Sequence, residues 1–213
     1  MQILFLAVLI ILFFYFHSRR NKLEKQAKLL NKLLYIEKSP QKYIDEIDKL
    51  LSGILSEKER NINFIQKSTG LLYAGEFHEA IRMLTDDVIK IPPNWQVFYY
   101  HNLLLSLYLN NEADRANEIL KDAKGTIDMY YKKDYNKVTI ELIYAVSDFY
   151  NGNIDNCRDF FFNLKDVATN DYRIALGHYF TGKILETEGK TEDAKCSFEQ
   201  AKEYGKGSFM EKL

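Results

Sequence analysis

Apolar residues recur three and four positions apart along most of this chain, as in Leu23, Ala27, Leu30 and Leu34, and then Ile44, Ile47 and Leu51. That spacing puts each set on one face of a helix. Ser39-Pro40 marks a helix start, with serine as cap and proline in the first turn. Ser56 and Glu59 have the spacing of a capping box that opens a helix toward Tyr73. No run alternates apolar and polar residues between hairpin signals, so the pattern predicts an all-α chain. Gly125 to Lys137 has no strong turn proline, and extended neighbouring helices are expected there.

One segment departs from this amphipathic pattern. Ile3 to Phe16 is apolar without interruption, and a helix with no polar face needs apolar surroundings on all sides. At 1.5 Å per residue the run spans about 21 Å, short of a hydrocarbon thickness of about 30 Å. No basic region precedes it, and His17-Ser18-Arg19-Arg20 offers no small-residue cleavage site, which favours an uncleaved anchor over a signal peptide. The side chains of Arg19 and Arg20 can reach back to the interface and relieve the mismatch. Arg19, Arg20, Lys22, Lys25 and Lys28 follow the span, opposed there only by Glu24, which predicts a single-pass membrane protein with its bulk in the cytoplasm. The expected organisation is an anchor over 1–18, a basic juxtamembrane helix with a degenerate leading repeat over 19–58, and a helical repeat domain over 59–213.

The repeat is carried by small residues. Ala80, Ala116, Cys157 and Ala194 stand 36, 41 and 37 residues apart, close to the period of a two-helix unit. One turn after each comes a large apolar residue, Leu84, Leu120, Phe161 or Phe198. A small side chain lets two helices approach, and the large one fills the gap that widens beyond it. Gly75, Gly152 and Gly189 mark the bend between the helices of three units, and Asn110-Asn111 takes that place in the other.

These residues resemble the tetratricopeptide repeat family. The fourth unit matches best, with Gly182, Leu185, Ala194, Phe198 and Ala201 at the family's spacing. The first carries Ala80, Leu84 and the terminal Pro92, and the second carries Leu103, Leu107, Ala116, Leu120 and Ala123. In the third, Ala145 fits while Asp148 and Cys157 depart. Leu30, Leu34, Tyr43, Ile47 and Leu50 extend the phase backwards into a leading unit. The resemblance implies a right-handed α-solenoid of helix pairs following the transmembrane helix. Its concave groove would be lined by the first helix of each unit and suited to an extended or helical protein segment. The groove-facing phase selects Phe98, His101, Asn102, Leu105, Tyr108, Leu142, Val146, Phe149, Tyr179 and Lys183 as partner-binding candidates. Tyr108 and Phe149 would share one concave wall and take a partner's apolar side chain between them. A version of the family clamps acidic tails with lysine, arginine and asparagine; here only Asn102 stands in a matching place, with Ile65, Thr69, Thr139 and Ile143 in others.

Composition narrows the function classes. In 213 residues, 46% are hydrophobic and the net charge is −1, so a sizeable core is available and a general phosphate-binding surface is not, which argues against nucleic acid. Cys157 and Cys196 lie in no CxxC pair and read as reduced packing residues. His17, His78, His101 and His178 lack ligand spacing, and no HExxH, phosphate loop or GxSxG occurs, so neither catalysis nor a metal or other cofactor is expected. The expected role is that of a membrane-tethered adaptor that binds a protein or peptide partner. A peptide-responsive sensor and a self-assembling structural membrane protein are the alternatives, and a homo-oligomer is compatible with each.

Overall fold

A computed structural model describes residues 17, 18 and 20–213 of the chain, and among them every regular element is a helix. The first, α1, covers residues 20–31 and continues through a π-helical turn, Lys32–Ile36. There follow α2 (Pro40–Leu51), α3 (Glu57–Ala74), α4 (Phe77–Arg82, continued by a π turn, Met83–Asp87) and α5 (Gln96–Leu109). After α6 (Ala113–Asp128) and α7 (Asp134–Tyr150) come α8 (Ile154–Val167), α9 (Asp171–Thr187) and α10 (Thr191–Tyr204), with a closing 3-10 turn at Phe209–Lys212. The apolar run at 3–16 lies outside the described residues. Among those that are described, no helix is long and apolar enough to cross a membrane.

Local sequence explains where the helices begin and bend. Ser56 accepts from Glu59 N at 3.3 Å while the Glu59 carboxylate accepts from Ser56 N at 3.0 Å, the reciprocal capping box expected at α3. Gly75, Gly152 and Gly189 take φ of 84°, 77° and 72°, and Asn111, in the unit without a glycine, takes 61°. Two expectations need correction. Pro40 does open α2, but the Ser39 side chain makes no capping bond. Residues 125–137 are not all helix: α6 extends to Asp128, and a turn over 129–133 separates it from α7.

Consecutive helices pack as pairs in two layers. Helix α6 buries one stripe, Ala116, Leu120, Ala123 and Ile127, as an outer helix should. Helix α5 buries His101 through Tyr108 without a break, which requires cover on several sides. The small residues sit where helices touch: Ala80, Ala116 and Cys157 are fully enclosed and Ala194 nearly so. In α9, a Cβ on Gly182 would come within 2.7 Å of the Phe198 ring, so the absence of a side chain sets how closely α10 can lie. Polar contacts recur at a separation of 34 residues, short of the 36 to 41 between the small residues. Asn102 reaches Ser68, Tyr130 reaches Gln96, Asn117 reaches Asn151 and Arg173 reaches Thr139, each pair 34 residues apart. These bonds tie α3 to α5, the start of α5 to the turn after α6, α6 to the end of α7, and α7 to α9.

The two ends of the stack meet. Lys38, just after α1, pairs with Asp171 at 2.7 Å and donates to the Tyr204 carbonyl at 3.3 Å. Tyr73 of α3 packs on Tyr172 of α9 with centroids 4.5 Å apart, and Phe77 meets Phe209 edge-on at 5.2 Å. Gly207 (φ 78°) lies so close to Lys38 that a Cβ there would run into the Lys38 carbonyl oxygen. One apolar cluster therefore runs from Leu30 through all the first helices to Met210.

Candidate functional site

The side of the stack formed by the first helices, α3, α5, α7 and α9, uses most of its side chains in packing. Of the ten groove-phase candidates, His101, Asn102, Leu105, Tyr108, Leu142 and Val146 are buried. Phe149, Tyr179 and Lys183 are partly covered, while Phe98 remains 38% exposed. Tyr108 stacks on Tyr150 at 5.2 Å and donates to Asn117 Oδ1 at 2.6 Å. Phe149 meets Tyr150 and Phe180 edge-on at 5.4 and 5.2 Å, so it joins Tyr108 only through Tyr150. Tyr150 thus contacts both rings, and Tyr108 is itself fully buried. Tyr179 packs against Phe198 and Phe209, and Lys183 pairs with Glu186 at 3.2 Å. Most of the face that the groove phase selects is thus taken up by contacts within the helical stack.

Asn102 organises the polar part of this side. Its Nδ2 donates toward Ile65 O, Ser68 Oγ and Thr69 Oγ1 at 3.1, 2.9 and 2.8 Å, which fixes the amide orientation. Its Oδ1 is then the acceptor for His101 Nδ1, 2.9 Å away. A neutral imidazole with its proton on Nδ1 presents Nε2 as an acceptor. Burial, and secondarily the Arg173 cation, push the His101 pKa down to about 4, so the ring is neutral near pH 7. Its buried Nε2 has no partner among the described residues.

A cavity of about 370 Å³ opens beside His101, between α1, α3, α5 and the start of α9. Tyr73, Trp95 and Phe98 provide apolar wall, and Lys28 and Arg173 line it as cations. Sequence reasoning selected His101, Asn102 and Phe98 but missed Tyr73, Trp95 and Arg173. Arg173 bonds Thr139, which the comparison with the acidic-tail clamp had singled out, but no local pattern marks Arg173 itself.

The remaining candidates separate. Cys157 is buried and its thiol pKa is raised to about 11 by burial, consistent with a packing role. Cys196 is exposed, so it does not pack as expected. Asp87 is held by Arg82 at 3.3 Å on the surface of the first unit. Among the described residues, no group of three or more His, Cys, Asp or Glu side chains is placed to hold a metal ion.

Comparison with known proteins adds no relative: no family model, curated protein or solved structure matches the chain.

Proposed function

We propose that this chain is a membrane-tethered adaptor related to the tetratricopeptide repeats. The apolar run 3–16 would hold it in a bilayer, and Arg19 through Lys28 would set the helical part on the cytoplasmic side. The stack of helix pairs presents a protein-binding surface there, and its right-handed solenoid sense follows from the same resemblance.

The observation that carries this reading is the mouth of the concave side. Trp95 and Phe98 lie with centroids 5.7 Å apart and stay partly accessible beside the basic helix α1, whereas the aromatic rings deeper in the stack are enclosed. Accessible aromatic side chains at the edge of a packed pocket are the kind of anchor that dominates protein interfaces. Among the ten groove candidates, Phe98 is therefore where a partner segment would first engage.

Photo-crosslinking in intact cells tests this directly. With a photoreactive residue in place of Phe98, a discrete protein adduct should form in the membrane fraction, and the same residue at exposed Glu118 of α6 should give none. Adducts of equal pattern from both positions, or a chain recovered wholly outside the membrane fraction, would contradict the adaptor reading.

A further inference from the structure

We infer that the cavity between α1, α3, α5 and α9 binds a small aromatic carboxylate that also carries an uncharged hydroxyl or ring N–H donor. This stands apart from the adaptor reading, because it needs neither a protein partner nor a bilayer.

Charge supplies the first part of the argument. Lys28 and Arg173 line the cavity, and no aspartate or glutamate does. The Arg173 side chain has one hydrogen-bond partner among the described residues, Thr139 Oγ1, and no carboxylate of those residues lies within salt-bridge distance of it. A guanidinium offers five N–H donors in a planar fork, so most of its capacity is unused. That fork matches a carboxylate bidentately, and a second cation at the mouth adds to the attraction.

Two acceptors supply the second part. His101 Nε2 and Gln66 Oε1 are both buried, both belong to cavity-lining residues, and both lack a partner among the described residues. Buried acceptors left unsatisfied are costly, so an occupant that donates a hydrogen bond is favoured over one that only accepts. An ammonium would meet Lys28 and Arg173 unfavourably, which leaves a hydroxyl or a ring N–H as the donor.

The walls supply the third part. Tyr35, Tyr73, Trp95 and Phe98 present rings from α1, α3 and α5 and the turn before it, a surface suited to a planar apolar body. The volume lies at the small end of the range of small-molecule sites, too confined for a folded partner. Inorganic phosphate would meet the cations but leave the aromatic wall unused.

The single tryptophan, Trp95, lines the cavity and makes binding directly observable. The full chain in bilayer nanodiscs is titrated with 4-hydroxyphenylacetate and followed by tryptophan fluorescence and calorimetry. A saturable response is expected, with affinity at least about tenfold weaker for phenylacetate, which lacks the donor, and for 4-hydroxyphenylacetamide, which lacks the charge. Phosphate should give no saturable fluorescence change. Arg173→Gln should weaken the acid at least about tenfold while leaving the amide unchanged. Lys28→Gln, on an exposed side chain, should weaken it less and keeps a charge test available if the arginine variant does not fold. No response at millimolar acid, equal affinities for acid and amide, or phosphate binding as tightly as the acid would each overturn the assignment.

Discussion

His101 shows how one buried side chain ties stability to pH. Its folded pKa of about 4 lies below the ordinary value of 6.5, so the unfolded chain binds a proton more readily between those two values. Stability from the neutral ring is therefore fully present above pH 6.5 and is lost as pH falls toward 4, a contribution of about 3 kcal/mol from the size of the shift. In urea denaturation of wild type and His101→Gln, the stability difference should decrease by about that amount over this range; a pH-independent difference would contradict it. Carboxylates common to both chains cancel in the comparison. Ala194 tests packing instead. It is enclosed where α9 and α10 approach, and Ala194→Leu should lower the unfolding free energy by about 1 to 3 kcal/mol, because added methylenes have no room there. An unchanged denaturation midpoint would mean that the contact is looser than described.

The helices themselves were readable because their signals are local. Apolar spacing of three and four, the capping box at Ser56 and the bends at Gly75, Asn111, Gly152 and Gly189 each act within a turn or two of chain. What the sequence concealed depends on contacts far apart in the chain. Nothing near Lys38 announces Asp171 or Gly207, and nothing near Tyr73 announces Tyr172. The groove phase selected Leu105, Tyr108, Leu142 and Val146 but could not tell side chains that line an open groove from side chains buried in packing. Gly207 offers the sharpest test of the contact between the two ends. With φ of 78° and the Lys38 carbonyl against it, Gly207→Ala should destabilise the chain by about 1 to 3 kcal/mol. Amide exchange should accelerate around Lys38 and at the start of α9, while α6 and the turn before α7 keep their protection. Uniform acceleration throughout the chain, or none, would show that Gly207 does not govern this junction.

For the molecule as a whole, the proposed tether and the helical stack should be separable. The described core begins at Leu30, so deleting Met1 to Arg20 should release a soluble, mainly helical protein by circular dichroism. Insoluble or unfolded material would show that the removed segment belongs to the core. If residues 3–16 anchor the chain as proposed, the helical part should resist protease in intact cells and become digestible once the membrane is permeabilised; digestion from outside would reverse the proposed orientation. The cavity beside His101 takes its lining from both ends of the stack, with Tyr35 from one and Arg173 from the other. A double-mutant cycle on Phe77→Ala and Phe209→Ala measures the contact between those ends, since these rings come from the first full helix pair and from the turn after the last helix and meet at 5.2 Å. A coupling energy of about 0.5 to 1.5 kcal/mol is expected for such an aromatic pair, and strictly additive effects would mean that the ends stand apart.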